Sequence, residues 1–356
     1  MNNETFTELA NRVTPIDVAA VASARELQDR LTKPQGSLGF LETLSVQLAG
    51  IAGVCPPLVP EPATIAVFAG DHGVVDAGVT PWPSEITAQM VANFCGGGAA
   101  INVLARHVGA RVVIVDVGVA TPVPGDAVGL VRRNVAAGTA NMATGPAMSE
   151  AQAMEALNVG ADVARGAIQE GAGLLVTGDM GIGNTTPSAA LIAAFTHTSA
   201  RVVTGRGTGI DDDMLAVKTR VIETALARLS SDASPLAILA EVGGLEIAAL
   251  AGFIVAGAAA RVPIVIDGVI AVAAAVVASA FSPEVPNYLI AGHRSSEPAA
   301  SAGLEYLHLT PVLDLGLRLG EGSGAALAVP IVQAAAKVLR EMATFDSAGV
   351  SERDAE

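Results

Sequence analysis

The chain has 356 residues, 51% hydrophobic and 15% charged, which provides for a sizeable buried core and excludes global disorder. The formal net charge of −15, with no Lys/Arg-rich run, excludes the basic surface of a general nucleic-acid binder. Aromatic residues make up only 3%, so the core must be built from Ala, Val, Leu and Ile packed around many of the 38 glycines.

A mean hydropathy of +0.52 raises the question of a membrane. The most apolar region, 247–281, is interrupted by Arg261, Pro263 and Asp267. Neither piece reaches the ~20 residues needed to span a bilayer. It reads as buried helix and buried strand. The opening MNNETFTELANR is polar and lacks the apolar stretch of a signal peptide. Cys55 and Cys95 form neither a CxxC nor a zinc pattern, so two reduced thiols in a cytoplasmic protein are expected.

In chain order, residues 5–55 carry helical spacing with a break at Pro34–Gly36. TIAVFAG (64–70) reads as a buried strand ending in glycine. Similar apolar, β-branched runs recur at 111–119, 173–179 and 262–268, with YLIAG (288–292) as a fifth. Ala-rich helical stretches such as 150–169, 187–196 and 244–260 lie between them, and a last helix covers 324–342. The tail from Thr344 is polar and expected to fray. Strands alternating with helices predict an α/β fold, a parallel sheet flanked by helices in a Rossmann-like large domain. That domain is placed at 60–305, with 1–59 and 306–356 forming a smaller helical subdomain.

Ligands of open parallel sheets bind outside the carboxyl ends of the strands, and those ends are glycine-rich here. GDMGIGNTTPSAA (178–190) has the makings of an anion cradle at a helix N-terminus, although a tight structural turn would read the same way. It is neither a Walker loop nor GxGxxG. GRGTG (205–209) is a weaker cradle, and nearby Lys218 could supply charge to a phosphate or simply be solvated. Glu321 stands between two glycines before an Ala-rich helix. On spacing alone it is either a carboxylate at a helix N-terminus or an exposed base. Asp71, His72, Asp267 and His293 raise a metal or acid/base site, but five histidines with no HxH or HxxxH argue against a metal cluster.

Eight segments in order resemble the nicotinate-nucleotide–dimethylbenzimidazole phosphoribosyltransferase family. They are LTKPQGSLGFLE (31–42), 68–106, TGDMGIGNTTPSAAL (177–191), TGRGTGIDD (204–212), 242–258, VIDG (265–268), GHRSSEP (292–298) and LDLGLRLGEGSGAALA (313–328). The resemblance implies transfer of the phosphoribosyl group of nicotinate mononucleotide to a benzimidazole-type base. It implies Glu321 as catalytic base and Asp179, at a position often held by Glu, as a second carboxylate. It associates Gly181, Asn184, Gly207, Lys218 and Ser295 with the nucleotide phosphate and ribose, and places Ser84 and Gln89 in the segment lining the base pocket. A homodimer is implied, with no metal, no cofactor, no nucleic acid and no membrane. The rival readings are a metal-dependent phosphohydrolase built on Asp71, His72, Asp267 and His293, and a nucleotide sensor without catalysis.

Overall fold

The computed structural model describes residues 4–123, 127–207 and 209–351. Within them lie strands β1 (Ala63–Gly70), β2 (Arg111–Gly118), β3 (Leu130–Arg132), β4 (Leu174–Met180), β5 (Ile264–Ile266) and β6 (Leu289–Ala291). They form one sheet in the order β3-β2-β1-β4-β5-β6, and every neighbouring pair is parallel. The α/β expectation is met, and the five strands read from sequence are present. β3 was not foreseen. It is a three-residue edge strand whose side chains stay half in solvent, so it has none of the apolar continuity that marked the others.

β1 is buried at all eight positions, as a central parallel strand must be. Its side chains alternate between two layers. Ala66 and Phe68 enter the core under helices Glu150–Gln169, Thr185–Thr196, Leu245–Ala259 and Val269–Phe281. Ile65, Val67 and Ala69 enter the opposite core with helices Glu85–Cys95, Ala100–Val108 and Ser323–Glu341.

Helix Leu245–Ala259 is apolar around nearly its whole circumference because the sheet covers one side and helix Glu150–Gln169 the other. The latter starts at a capping box in which Ser149 and Gln152 satisfy each other's backbone N–H. The two helices cross at Gly160 and Gly252. A Cβ on Gly160 would sit 1.7 Å from the Ala249 carbonyl oxygen, and one on Gly252 would sit 1.9 Å from that of Leu157.

Helices Val18–Arg30, Phe40–Ala52 and Ser323–Glu341 share a small cluster of Ala24, Leu31, Ala49 and Leu339. Helix Phe6–Arg12 packs elsewhere: Phe6 donates its N–H to Asn158 at 2.8 Å and meets Phe281 edge-on. The tail expected to fray carries a short helix, Phe345–Ala348, capped by Thr344; residues 352–356 lie outside the described residues. Among the described residues no helix is long and apolar enough to cross a membrane.

Candidate active site

The connections run from β1 out to β2 and β3 on one side, and through β4 to β5 and β6 on the other. The switch falls between β1 and β4, where a crevice opens at the carboxyl ends of the strands. A cavity of about 450 Å³ lies there. Its wall includes Asp179, Met180 and Gly181 from the end of β4, Gly268 after β5, His293 and Ser295 after β6, and Gly320 and Glu321 before the last long helix.

The Glu321 turn is held in an unusual conformation. Gly320, Glu321 and Gly322 all have positive φ, at 85°, 64° and 91°. For a residue with a Cβ this costs about 1–3 kcal/mol and persists only where the surroundings enforce it. The turn presses on β4: a Cβ on Gly178 would lie 2.5 Å from the Glu321 carbonyl oxygen. The carboxylate is 5% exposed, lines the cavity, and accepts the Ile101 N–H on Oε2 at 3.1 Å. It therefore does sit at a helix N-terminus, but at that of Ala100–Val108 rather than of the helix it precedes. Burial pushes its pKa up, the Ile101 hydrogen bond opposes this, and the charge of Asp267 adds to the rise.

The helix Glu321 precedes is capped by Asp267, whose two oxygens accept the N–H groups of Gly322 at 3.2 Å and Ala325 at 2.9 Å. Asp267 also faces His293 Nε2 at 3.4 Å. Burial alone would lower the His293 pKa, but the Asp267 carboxylate outweighs it and holds the imidazole above its ordinary value. His72 pairs instead with Glu246, Nε2 to Oε1 at 2.8 Å, both fully buried. Asp71 accepts the Ala120 N–H at 2.8 Å. The four residues of the metal reading are thus drawn into separate pairs. Among the described residues no group of three or more His, Cys, Asp or Glu is placed to hold a metal ion.

Asp179 is buried beneath the same turn, with Oδ2 accepting from Asn184 Nδ2 at 3.0 Å and Oδ1 unpartnered. Burial raises its pKa well above the usual carboxylate range, and the charges of Asp267 and Glu246 push the same way. A carboxyl whose pKa is higher in the folded chain favours folding fully only below its unfolded value, about 3.9, and that benefit is lost as pH rises through the folded value. Asp179→Asn should therefore raise Tm by a few degrees at neutral pH, with the gain shrinking toward ~pH 4. Melting curves of both proteins across pH check this; a variant less stable than the parent at neutral pH contradicts it.

The second group of wall residues lies around Gly207. Lys218, expected as either a phosphate partner or solvated surface, is 1% exposed. Its Nζ donates to Thr185 Oγ1 at 2.8 Å and to the Gly205 carbonyl at 3.1 Å. Desolvation lowers its pKa to about 8, against the opposing charge of Glu297. Glu297 accepts the Gly207 N–H at 2.8 Å, and Arg318 donates to the Gly207 carbonyl at 3.0 Å. Thr208 of this turn lies outside the described residues.

Of the positions singled out in the sequence, Glu321, Asp179, Gly181, Asn184, Gly207 and Ser295 line the cavity, and Lys218 stands behind Thr185, which does. Ser84 is half-buried, Gln89 is exposed, and neither is on the wall. Trp82, Ile86 and Met90, four residues apart along the same segment, supply part of its apolar lining. Sequence reasoning gave no role to Glu246, Glu297, Arg318 or Trp82. For Glu246 a signal existed: it is the one charged residue in a 15-residue apolar helix.

Residues 13–350 match a family model described as phosphoribosyltransferase. A relative from Salinispora tropica, named nicotinate-nucleotide–dimethylbenzimidazole phosphoribosyltransferase, is 54% identical over 355 residues, covering 96% of this chain and 98% of the relative. One of the same name from Chloroflexus aurantiacus is 55% identical over 344 residues, with 96% and 97% covered. The crystal structure of CobT from Thermus thermophilus superposes with a TM-score of 0.91 at 47% identity, over 94% of this chain and all of that one. The chain belongs to the nicotinate-nucleotide–dimethylbenzimidazole phosphoribosyltransferase family.

Proposed function

We infer that the protein transfers the phosphoribosyl group of nicotinate mononucleotide to 5,6-dimethylbenzimidazole or a similar base, giving α-ribazole 5′-phosphate and nicotinate, a step of cobalamin biosynthesis. The observation that carries this is a buried, conformationally strained Glu321 on the wall of a switch-point cavity, in a chain matching the family from residue 13 to 350.

The chemistry asks little of the protein in functional groups. Nicotinate is bound to ribose as a pyridinium and leaves when its ring nitrogen takes the bonding electron pair. No proton need be supplied to expel it. The incoming base attacks the anomeric carbon through one ring nitrogen while the other still carries a proton. That proton becomes acidic as the bond forms, and Glu321 accepts it. Oε2 is held by Ile101, which leaves Oε1 as the receiving atom. A base works best with a pKa near the operating pH, and burial moves Glu321 in that direction. Gly181, Asn184, Gly207, Lys218 and Ser295 are the proposed phosphate and ribose contacts, with Lys218 acting through Thr185 and the Gly205 turn. Alignment of the two substrates supplies the rest of the acceleration.

The test is incubation with nicotinate mononucleotide and a panel of bases, following nicotinate. Release that requires the base supports transfer. A phosphohydrolase would liberate phosphate and stop with a chelator, and a sensor would release nothing. The rate should fall as pH drops through the Glu321 pKa, with an inflection above the ordinary Glu value of about 4.3 because burial raises it. A rate flat down to that value contradicts the base assignment. The same proposal includes a homodimer, to be checked by sedimentation, and a cytoplasmic setting, with which two unbonded cysteines agree.

A further inference from the structure

Three carboxylates line the cavity, Asp179, Glu297 and Glu321, and the proton transfer needs one of them. Asp179 lies with Glu321: a Cβ on Gly320 would be 3.1 Å from its Oδ2. Glu297 belongs to the other group of wall residues, among the glycines and the lysine proposed to hold the phosphate. It is buried, its Oε1 takes the Gly207 N–H at 2.8 Å, and its charge acts on Lys218. A Cβ on Gly205 would lie 2.0 Å from its Oε2, so the chain has kept room for this oxygen.

A carboxylate beside a phosphate is costly in a partly dehydrated site unless donors stand between them. Among the described residues the protein offers the Glu297 side chain one backbone N–H, on Oε1. A bound ligand is placed to supply further donors. In nicotinate mononucleotide with its phosphate ionised, the only hydroxyl donors are those at the 2′ and 3′ positions of the ribose. The 2′-hydroxyl is carried by the carbon next to the one at which substitution occurs.

We propose that Glu297 recognises the ribose, its carboxylate accepting hydrogen bonds from the 2′- and 3′-hydroxyls and making the enzyme select ribonucleotides. This rests on the function proposed above. A buried acceptor left without its hydroxyl is penalised in full, which is why sites built around a substrate hydroxyl reject the analogue lacking it.

The experiment compares nicotinate mononucleotide with its 2′-deoxy and 3′-deoxy analogues in the wild-type protein and in Glu297→Gln. In the wild type, kcat/KM for at least one analogue should fall by about 10²-fold or more. In Glu297→Gln that ratio should shrink to within about tenfold, while the preference for the nucleotide over nicotinate riboside, which lacks the phosphate, stays unchanged. Equal use of all three nucleotides by the wild type overturns the proposal, as does full discrimination retained by the variant. Tighter binding of the nucleotide by the variant also overturns it, because the carboxylate would then merely fill an empty phosphate site. Should Glu297→Gln not fold, Glu297→Asp, which withdraws the carboxylate by one methylene, is read in the same way. Should the wild type release no nicotinate, the transferase reading is what fails, and calorimetric binding of the ribo- and deoxynucleotides still decides the role of Glu297.

Discussion

Glu321→Gln is expected to lower turnover by at least about 10²-fold, some 2.7 kcal/mol of transition-state stabilisation, while leaving the fold and most nucleotide affinity in place. The amide oxygen can still accept the Ile101 N–H that now reaches Oε2. What is lost is the ability of the other atom to take a proton. Single-turnover release of nicotinate, together with calorimetric binding of the nucleotide, separates the two effects. Turnover within a few-fold of the parent would sink the assignment and shift attention to Asp179. The loss is expected mainly in kcat, because the proton becomes acidic only as the new bond forms, and an interaction made only in the transition state shows itself there.

The largest effect on stability is expected at the crossing of helices Glu150–Gln169 and Leu245–Ala259. Gly252→Ala places a Cβ 1.9 Å from the Leu157 carbonyl, where real Cβ atoms keep at least 3.0 Å. The obstacle is backbone on both sides, so no rotamer can relieve it, and the helices must part. Their separation would unseat Leu245, which packs at Gly118, and Glu246, which holds His72. Overpacking usually costs about 1–3 kcal/mol, and a clash with backbone belongs at or above the top of that range. Against a total stability of about 5–15 kcal/mol, a large fall in Tm or in soluble yield is expected. Gly166→Ala, on the partner helix Glu150–Gln169 with open space around it, is the control. It should stabilise by about 0.4–1 kcal/mol, because alanine lowers the entropy of the unfolded chain. Calorimetry on both variants checks the opposite signs; a Gly252→Ala protein as stable as the parent would mean the crossing yields cheaply.

The contrast between these two glycines shows where sequence reading stops. Strands β1, β2, β4, β5 and β6 were legible because burial on both faces forces continuous apolar runs. β3 was not, being short and half-exposed. Gly160, Gly166 and Gly252 look alike in sequence, and only the packed neighbour tells a required glycine from a replaceable one. The site divides in the same way. The glycine-rich ends of β4, β5 and β6 announced themselves. Ser84 and Gln89 came from a segment whose helical phase turns Ile86 and Met90 to the cavity instead. Lys218 looked like either surface or site, and its burial followed from contacts with Thr185 and Gly205 that lie 33 and 13 residues away. Glu297 carried no signal beyond its place in GHRSSEP, because a carboxylate before a helix-starting proline is an ordinary sight.

The bond from Ile101 to Glu321 also constrains how such a protein can change over generations. Helix Ala100–Val108 has only alanine at its own N-cap and borrows an acceptor from a residue 220 positions away. A lineage that abandoned the reaction would still need an oxygen there. Its descendants would be expected to carry glutamine rather than alanine at this position, so the loss of activity would leave a silhouette almost indistinguishable from the working enzyme.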